Sequence, residues 1–235
     1  MKRRIVFAGF LSIILAACSL PTAKPVVTIA PTVTHSTIST LTSIRIVTAT
    51  PAPITLTVKD KLINCRFGPG VTYELINELS QDESAQVVGR DELSSWWYVN
   101  DPGNPKGHCW VSADVTETHG PIEVLPVLQS PVTSVTSASL RIEPDRIVVN
   151  CHQFPQTVFL EAKVTSNGPT YVTWRWEAST GVSSNDTILV FEQAGTQIIN
   201  DYYQIGAPND YWIKLHILEP NEMIEDVKFP VSCTQ

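Results

Sequence analysis

Val172-Thr173-Trp174-Arg175-Trp176-Glu177 places apolar side chains at every second position with polar ones between them. Successive side chains of an extended chain point to opposite faces, so this stretch reads as a half-buried β-strand with Trp174 and Trp176 in a core. The period continues on both sides. Val158, Leu160, Ala162 and Val164 alternate with Glu161 and Lys163, and Ile213, Leu215 and Ile217 alternate with Lys214 and His216. Sheets with one packed and one solvated face carry this pattern, and two of them packed face to face make a sandwich. Residues 138–235 are expected to form such a sandwich, of about six or seven strands.

Towards the N-terminus the strand signals shorten. Leu56 and Val58, Leu62 to Arg66, Ala85 to Val88, Trp96 to Val99 and Cys109 to Val111 are candidate strands at the spacing of an all-β fold. Phe67-Gly68-Pro69-Gly70 and Asp101-Pro102-Gly103-Asn104-Pro105 read as turns, with glycine permitting φ > 0 and proline fixing φ near −65°. No long segment has a 3.6-residue apolar repeat. Residues 118–137, with Pro121, Pro126 and Pro131 five apart, read as a connector to the sandwich.

Asn64-Cys65-Arg66-Phe67-Gly68-Pro69-Gly70, Trp96-Trp97-Tyr98-Val99 and Gly107-His108-Cys109-Trp110-Val111 together resemble bacterial SH3-like (SH3b) domains. The resemblance implies a small SH3-like barrel over residues 55–117 and, for many members, cell-wall peptides as ligands. Cys65 stands where the family has valine, and His108-Cys109 is inserted before the closing Trp110, so the two departures read as one event that makes a disulfide. Glu83 stands where the family commonly has a turn glycine, and Asp114-Val115 replaces its aromatic-Leu ending. The second region is similar to immunoglobulin-like repeats of bacterial surface proteins, through Val164-Thr165-Ser166-Asn167-Gly168-Pro169, Trp174 to Glu177 and Pro230-Val231-Ser232-Cys233.

The chain begins with Lys2, Arg3 and Arg4, an apolar run from Ile5 to Ala17, and Leu15-Ala16-Ala17-Cys18, which resembles a bacterial lipoprotein signal peptide. The run is shorter than the roughly 20 residues that cross a bilayer. The resemblance implies cleavage after residue 17, lipid on Cys18, and an extracytoplasmic chain held to the membrane, inner or outer. Residues 19–54 contain no acid and no glycine and are rich in Thr, Ser, Pro and Val. That composition buries too little apolar surface to offset ordering entropy, so 18–54 is expected to be a disordered tether.

Charge and cysteine usage limit the function classes. The chain has a formal net charge of −7, and both β regions hold more acid than base, which disfavours a nucleic-acid partner. Of five cysteines, Cys18 is assigned to lipid, leaving Cys65, Cys109, Cys151 and Cys233. Four cysteines allow three pairings, of which the division into two β regions favours Cys65–Cys109 and Cys151–Cys233. Bridges of this kind persist in oxidising compartments, and the spacing is unlike a zinc site, so no metal or cofactor is expected.

Within Trp96-Trp97-Tyr98-Val99, alternation puts Trp97 and Val99 on one face and Trp96 and Tyr98 on the other. Valine belongs to the core, which makes Trp96 and Tyr98, with Tyr73 and Trp110, the candidate ligand-binding set, since aromatic rings stack on peptide and sugar faces at low entropy cost. The competing reading is that these rings plug the barrel. No GxSxG, phosphate loop or HExxH motif occurs, so catalytic residues are not expected. The expected function is non-catalytic binding of a cell-wall or extracellular peptide or glycan. The alternatives are an adhesion or structural subunit docking to other envelope proteins, and a cell-wall hydrolase.

Overall fold

The computed structural model describes residues 52–235; the signal peptide, Cys18 and most of the tether lie outside the described residues. Every regular element longer than a single 3₁₀ turn is a strand, so the described chain is all-β.

The first seven strands, β1 (Thr55–Val58), β2 (Leu62–Arg66), β3 (Leu75–Ser80), β4 (Ser84–Arg90), β5 (Trp96–Asn100), β6 (His108–Ser112) and β7 (Thr116–His119), form one sheet in the order β3-β2-β6-β5-β4-β1-β7. Leu79 on β3 and Leu56 on β1 stand at far positions in that order, yet both belong to one buried cluster with Ile63, Val87, Trp97, Val99 and Val111. Neighbouring strands lie about 4.8 Å apart, so a flat sheet would hold those two leucines more than ~20 Å from each other. The sheet therefore curls around its own core. Register shifts at Cys65/Arg66 and between Val87 and Gly89 supply the bends.

The ends of this region differ from the sequence boundaries in detail. Ile54 is buried and its carbonyl accepts the Val87 N–H at 2.9 Å. The connector also contributes: Arg90 N–H donates to Pro126 O at 3.0 Å, and Leu128 N–H to Arg90 O at 2.8 Å. Glycine's role in the Phe67–Gly70 and Asp101–Pro105 turns is corrected, because positive φ among the described glycines falls on Gly120, Gly181 and Gly195 instead. Gly68 is required for room: a Cβ there would meet the Tyr73 ring at 2.5 Å. At the β3–β4 turn the left-handed residue is Asp82 (φ 64°), a residue type that tolerates it, so Glu83 needs no glycine-like backbone.

The remaining strands are β8 (Val135–Glu143), β9 (Ile147–Asn150), β10 (Gln156–Ser166), β11 (Thr170–Ala178), β12 (Thr187–Phe191), β13 (Gly195–Ile205), β14 (Asn209–Glu219) and β15 (Met223–Thr234). They make two sheets, β13-β10-β8 and β12-β11-β14-β15-β9, antiparallel except where β9 runs parallel to β15. The first strand is thus shared between sheets, its second part beside the last strand, as in an immunoglobulin-like sandwich. The alternation read from sequence sets the core: Val158, Leu160, Ala162, Val164, Trp174, Trp176, Ile213, Leu215 and Ile217 are all buried in one cluster with Phe229. Trp174 and Trp176 meet edge to face, ring centroids 5.4 Å apart.

Cys65 is bonded to Cys109 and Cys151 to Cys233, with Cα separations of 5.4 and 4.9 Å. Two disulfides suit an oxidising, extracytoplasmic environment. Among the described residues no helix is long and apolar enough to cross a membrane.

Candidate functional site

The aromatic face is built by the β5–β6 pairing. Trp97 and Val99 point into the core of the curled sheet, 4% and 0% exposed, which turns Trp96 and Tyr98 outward, where both are half-buried. Tyr98 lies directly opposite Trp110, ring centroids 5.1 Å apart and tilted by 45°. It also stacks on His108, two residues before Trp110 on β6, at 5.1 Å with 13° between the planes. Trp110 is 2% exposed and belongs to neither apolar core, so it is the floor of this row while Tyr98 and His108 are its accessible surface.

The loops that hold the row are tied by side chains. The Asp91 carboxylate accepts the Trp96 N–H at 2.7 Å and the Ser95 hydroxyl at 2.8 Å. Buried Asp101 accepts from Asn77 Nδ2 at 2.8 Å and from the Gly103 N–H at 2.9 Å, which anchors the loop leading into His108. The pairing scheme brings Tyr98 and Trp110 together, with Trp96 further along the same face, but not Tyr73. That ring is pressed between Gly68 and Gly168, where a Cβ at Gly168 would approach it to 2.9 Å. It sits at the junction of the two β regions, beside the Glu74 N–H to Asn167 O and Ala194 N–H to Thr72 O bonds of 3.0 and 2.7 Å. His108 joined the row unforeseen from sequence; the available signal was its place two residues before Trp110, on the same strand face.

A second cluster lies on the outer face of the five-stranded sheet. His216 Nδ1 is 2.9 Å from Glu177 Oε1 and its Nε2 is 3.1 Å from Glu222 Oε1. Arg175 Nε donates to the same Glu177 oxygen at 2.8 Å and its Nη1 is 3.6 Å from Asp186. Two carboxylates on the two ring nitrogens are both served when each nitrogen carries hydrogen, so this setting favours the imidazolium over the neutral ring. The hydrogen bond with Glu177 raises its pKa above 6.5, burial opposes, and Glu222 adds to the rise. The bonds from His216 and then Arg175 hold Glu177 below 4.5.

Both shifts have a definite sign in stability. The His216 contribution is complete below pH 6.5 and is lost as pH rises through its higher folded value; the Glu177 contribution is complete above pH 4.5 and is lost as pH falls through its lower one. Wild-type protein is therefore expected to melt about 2–4 °C lower at pH 9 than at pH 6, a difference that shrinks in His216→Gln. Equal pH dependence in the two proteins by thermal melting would remove the assignment. Among the described residues, the His216 ring has its hydrogen-bond contacts with Arg175, Glu177 and Glu222 and with no hydroxyl or thiol, and no group of three or more His, Cys, Asp or Glu side chains is placed to hold a metal ion.

No family model and no curated protein matches the chain. Among solved structures it is similar to the CARDB domain of the PF1109 protein from Pyrococcus furiosus, described in complex with di-metal ions, with 13% identity over 43% of this chain and 96% of that one and a TM-score of 0.36. It is also similar to part of the b-glucosidase EmGH1 from Erythrobacter marinus, with 9% identity over 42% of this chain and 15% of that one and a TM-score of 0.33. The metal ions and the glucosidase belong to those proteins.

Proposed function

We propose that this chain is a lipid-anchored, extracytoplasmic, non-catalytic binding protein. Its first β region acts as an SH3b-type barrel that engages cell-wall or extracellular peptide or glycan, and its sandwich acts as spacer or second contact. The observation that carries the reading is the supported aromatic row, with Tyr98 stacked on His108 over a buried Trp110 and Trp96 further along the same face. Flat rings fixed by a rigid sheet recognise sugar and peptide faces without losing much side-chain freedom. The lipid anchor rests on the basic, apolar and Leu15-Ala16-Ala17-Cys18 pattern, and the two disulfides agree with that destination.

The test is co-sedimentation of the full chain with isolated wall material. Loss of two stacking rings in a Trp96→Ala/Tyr98→Ala variant is expected to weaken binding at least about tenfold, on the usual scale of 1.4 kcal/mol per decade. Undiminished sedimentation of the variant would move the binding site elsewhere. Cys18→Ser is expected to release the protein from membranes into the soluble fraction.

A second reading, an adhesion subunit docking to envelope proteins, draws on Tyr171, Ile188 and Val190. These are 69%, 62% and 46% exposed and adjacent on the outer face of β11 and β12. Sedimentation that fails for wild type at low salt would favour it.

A further inference from the structure

Among the described residues, β13 is the longest strand with only one neighbour. It pairs with β10 over eleven residues without a break in register, and its other edge meets no strand of the described residues. In an antiparallel pair every second residue exchanges backbone bonds with its partner and the others turn away. Tyr202 is one that turns away, because its N–H is taken at 2.8 Å by the carboxylate of Asp201, its own neighbour. Ile198, Asn200 and Gln204 share its phase. Apart from the Tyr202 N–H, which Asp201 holds, this edge therefore offers a row of backbone donors and acceptors that an added extended chain can pair.

The edge lacks most of the usual protection. Gly195 to Ile205 contains no lysine and no proline, and its single charge is Asp201. Ile198 and Tyr202 on its outer face are 53% and 61% exposed, and Tyr202 lies directly opposite Phe159, which is 64% exposed. On the inner side, between the two sheets, a cavity of about 180 Å³ opens beside Asp201 and Tyr203 and is lined by Leu160, Trp176, Val182 and Ile213. Trp176 Nε1 is buried with no acceptor among the described residues. A void of ~150 Å³ takes one benzene ring, whereas drug-sized ligands need roughly 300 Å³ or more, so this one fits a single side chain.

We propose that the β13 edge and this cavity form a docking site for an extended peptide segment of another protein. The peptide adds as a fourth strand, inserts one branched apolar side chain between the sheets, and sets a lysine or arginine against Asp201. Main-chain bonding gives affinity and the alternate side chains give specificity, the general mode of strand addition. The charge of the partner follows from Asp201 at the mouth and from the acidic body around it. A second copy of this chain is the poorer occupant, since it would bring its own Asp201 and its own net negative charge of −7 to the same edge.

The experiment titrates the full chain into a fluorescein-labelled, end-blocked heptapeptide, Thr-Leu-Val-Lys-Val-Leu-Thr, whose palindromic sequence presents the same side-chain order in parallel or antiparallel pairing. Saturable anisotropy is expected, weakened about tenfold when the central lysine is glutamate. Asn200→Pro removes an edge N–H while sparing the β10 ladder and is expected to weaken binding by a similar factor. Val182→Asp, on an exposed turn, puts a carboxylate on the apolar wall of the cavity without touching the ladder and is expected to do the same. Trp96→Ala/Tyr98→Ala should bind as wild type, which separates this site from the aromatic face. No saturation up to about 1 mM peptide, or binding by the Asn200→Pro and Val182→Asp variants as tight as wild type, overturns the proposal. So does a dimer in sedimentation that Asn200→Pro dissolves, because the edge would then belong to a second copy.

Discussion

Replacing both Cys65 and Cys109 with alanine is expected to lower the stability of the first β region by roughly 4 kcal/mol, the chain-entropy value for a loop of this length. The location of the bridge makes it more than a generic crosslink. β2 meets β6 at a single ladder pair, Arg66 with Trp110, while β5 and β6 pair over five residues. The seam between the β3-β2 arm and the rest of the sheet is thus thin in hydrogen bonds, and the disulfide crosses it one residue from that single pair. Both sulfurs are fully buried in the core, so their loss also leaves a void. A domain of about 60 residues buries only ~60% of its unfolded surface and has little reserve. Guanidinium unfolding of the full chain is expected to show an early transition that moves to lower denaturant in the double variant or in reductant. Superimposable curves would mean that the bridge adds nothing. Cys151–Cys233 closes a longer loop, 82 residues of separation, but joins a place where β9 and β15 already share a four-pair ladder. Its loss is expected to fray the C-terminal strand more than to open the sandwich.

What could be read from the residues was what repeats along one strand. Val158 to Val164, Val172 to Glu177 and Ile213 to Ile217 announce their inward faces because one side meets a core and the other meets water. Trp96 to Val99 separates its two faces for the same reason. Edge strands do not announce themselves. Leu75 and Ile76 at the start of β3 are 45% and 46% exposed, so apolar residues occupy both faces and the alternation disappears. β13 is masked likewise, with Ile198 and Ile199 adjacent and on opposite sides. Tyr73 reads from its sequence as a member of the ligand-binding aromatic set, but its neighbour Gly168 is distant in sequence, and nothing local encodes that contact. The β2–β6 disulfide was legible because cysteine has few partners to choose from; the thinness of the seam it closes was not, since ladder pairs depend on where the sheet bends.

Trp97→Ala is expected to cost about 3–5 kcal/mol, the range for truncating a buried aromatic, and to unfold the first β region at ambient temperature. Trp96→Ala, one residue earlier, is expected to change stability by no more than ~1 kcal/mol. The two side chains are of the same type on adjacent positions of one strand, so propensity and unfolded-state effects nearly cancel and the difference reports which face each ring occupies. Trp97 adds an internal control. Its Nε1 is buried with no acceptor among the described residues, a condition that itself costs stability. Trp97→Phe removes that unpaired donor while keeping most of the buried ring, so it should fall far closer to wild type than Trp97→Ala does. Urea melts of the three variants, followed by near-ultraviolet dichroism, give the ordering. If Trp96→Ala destabilised the protein as much as Trp97→Ala, Trp96 would be a core residue, and the aromatic row would have to recognise its ligand through Tyr98 and His108 alone.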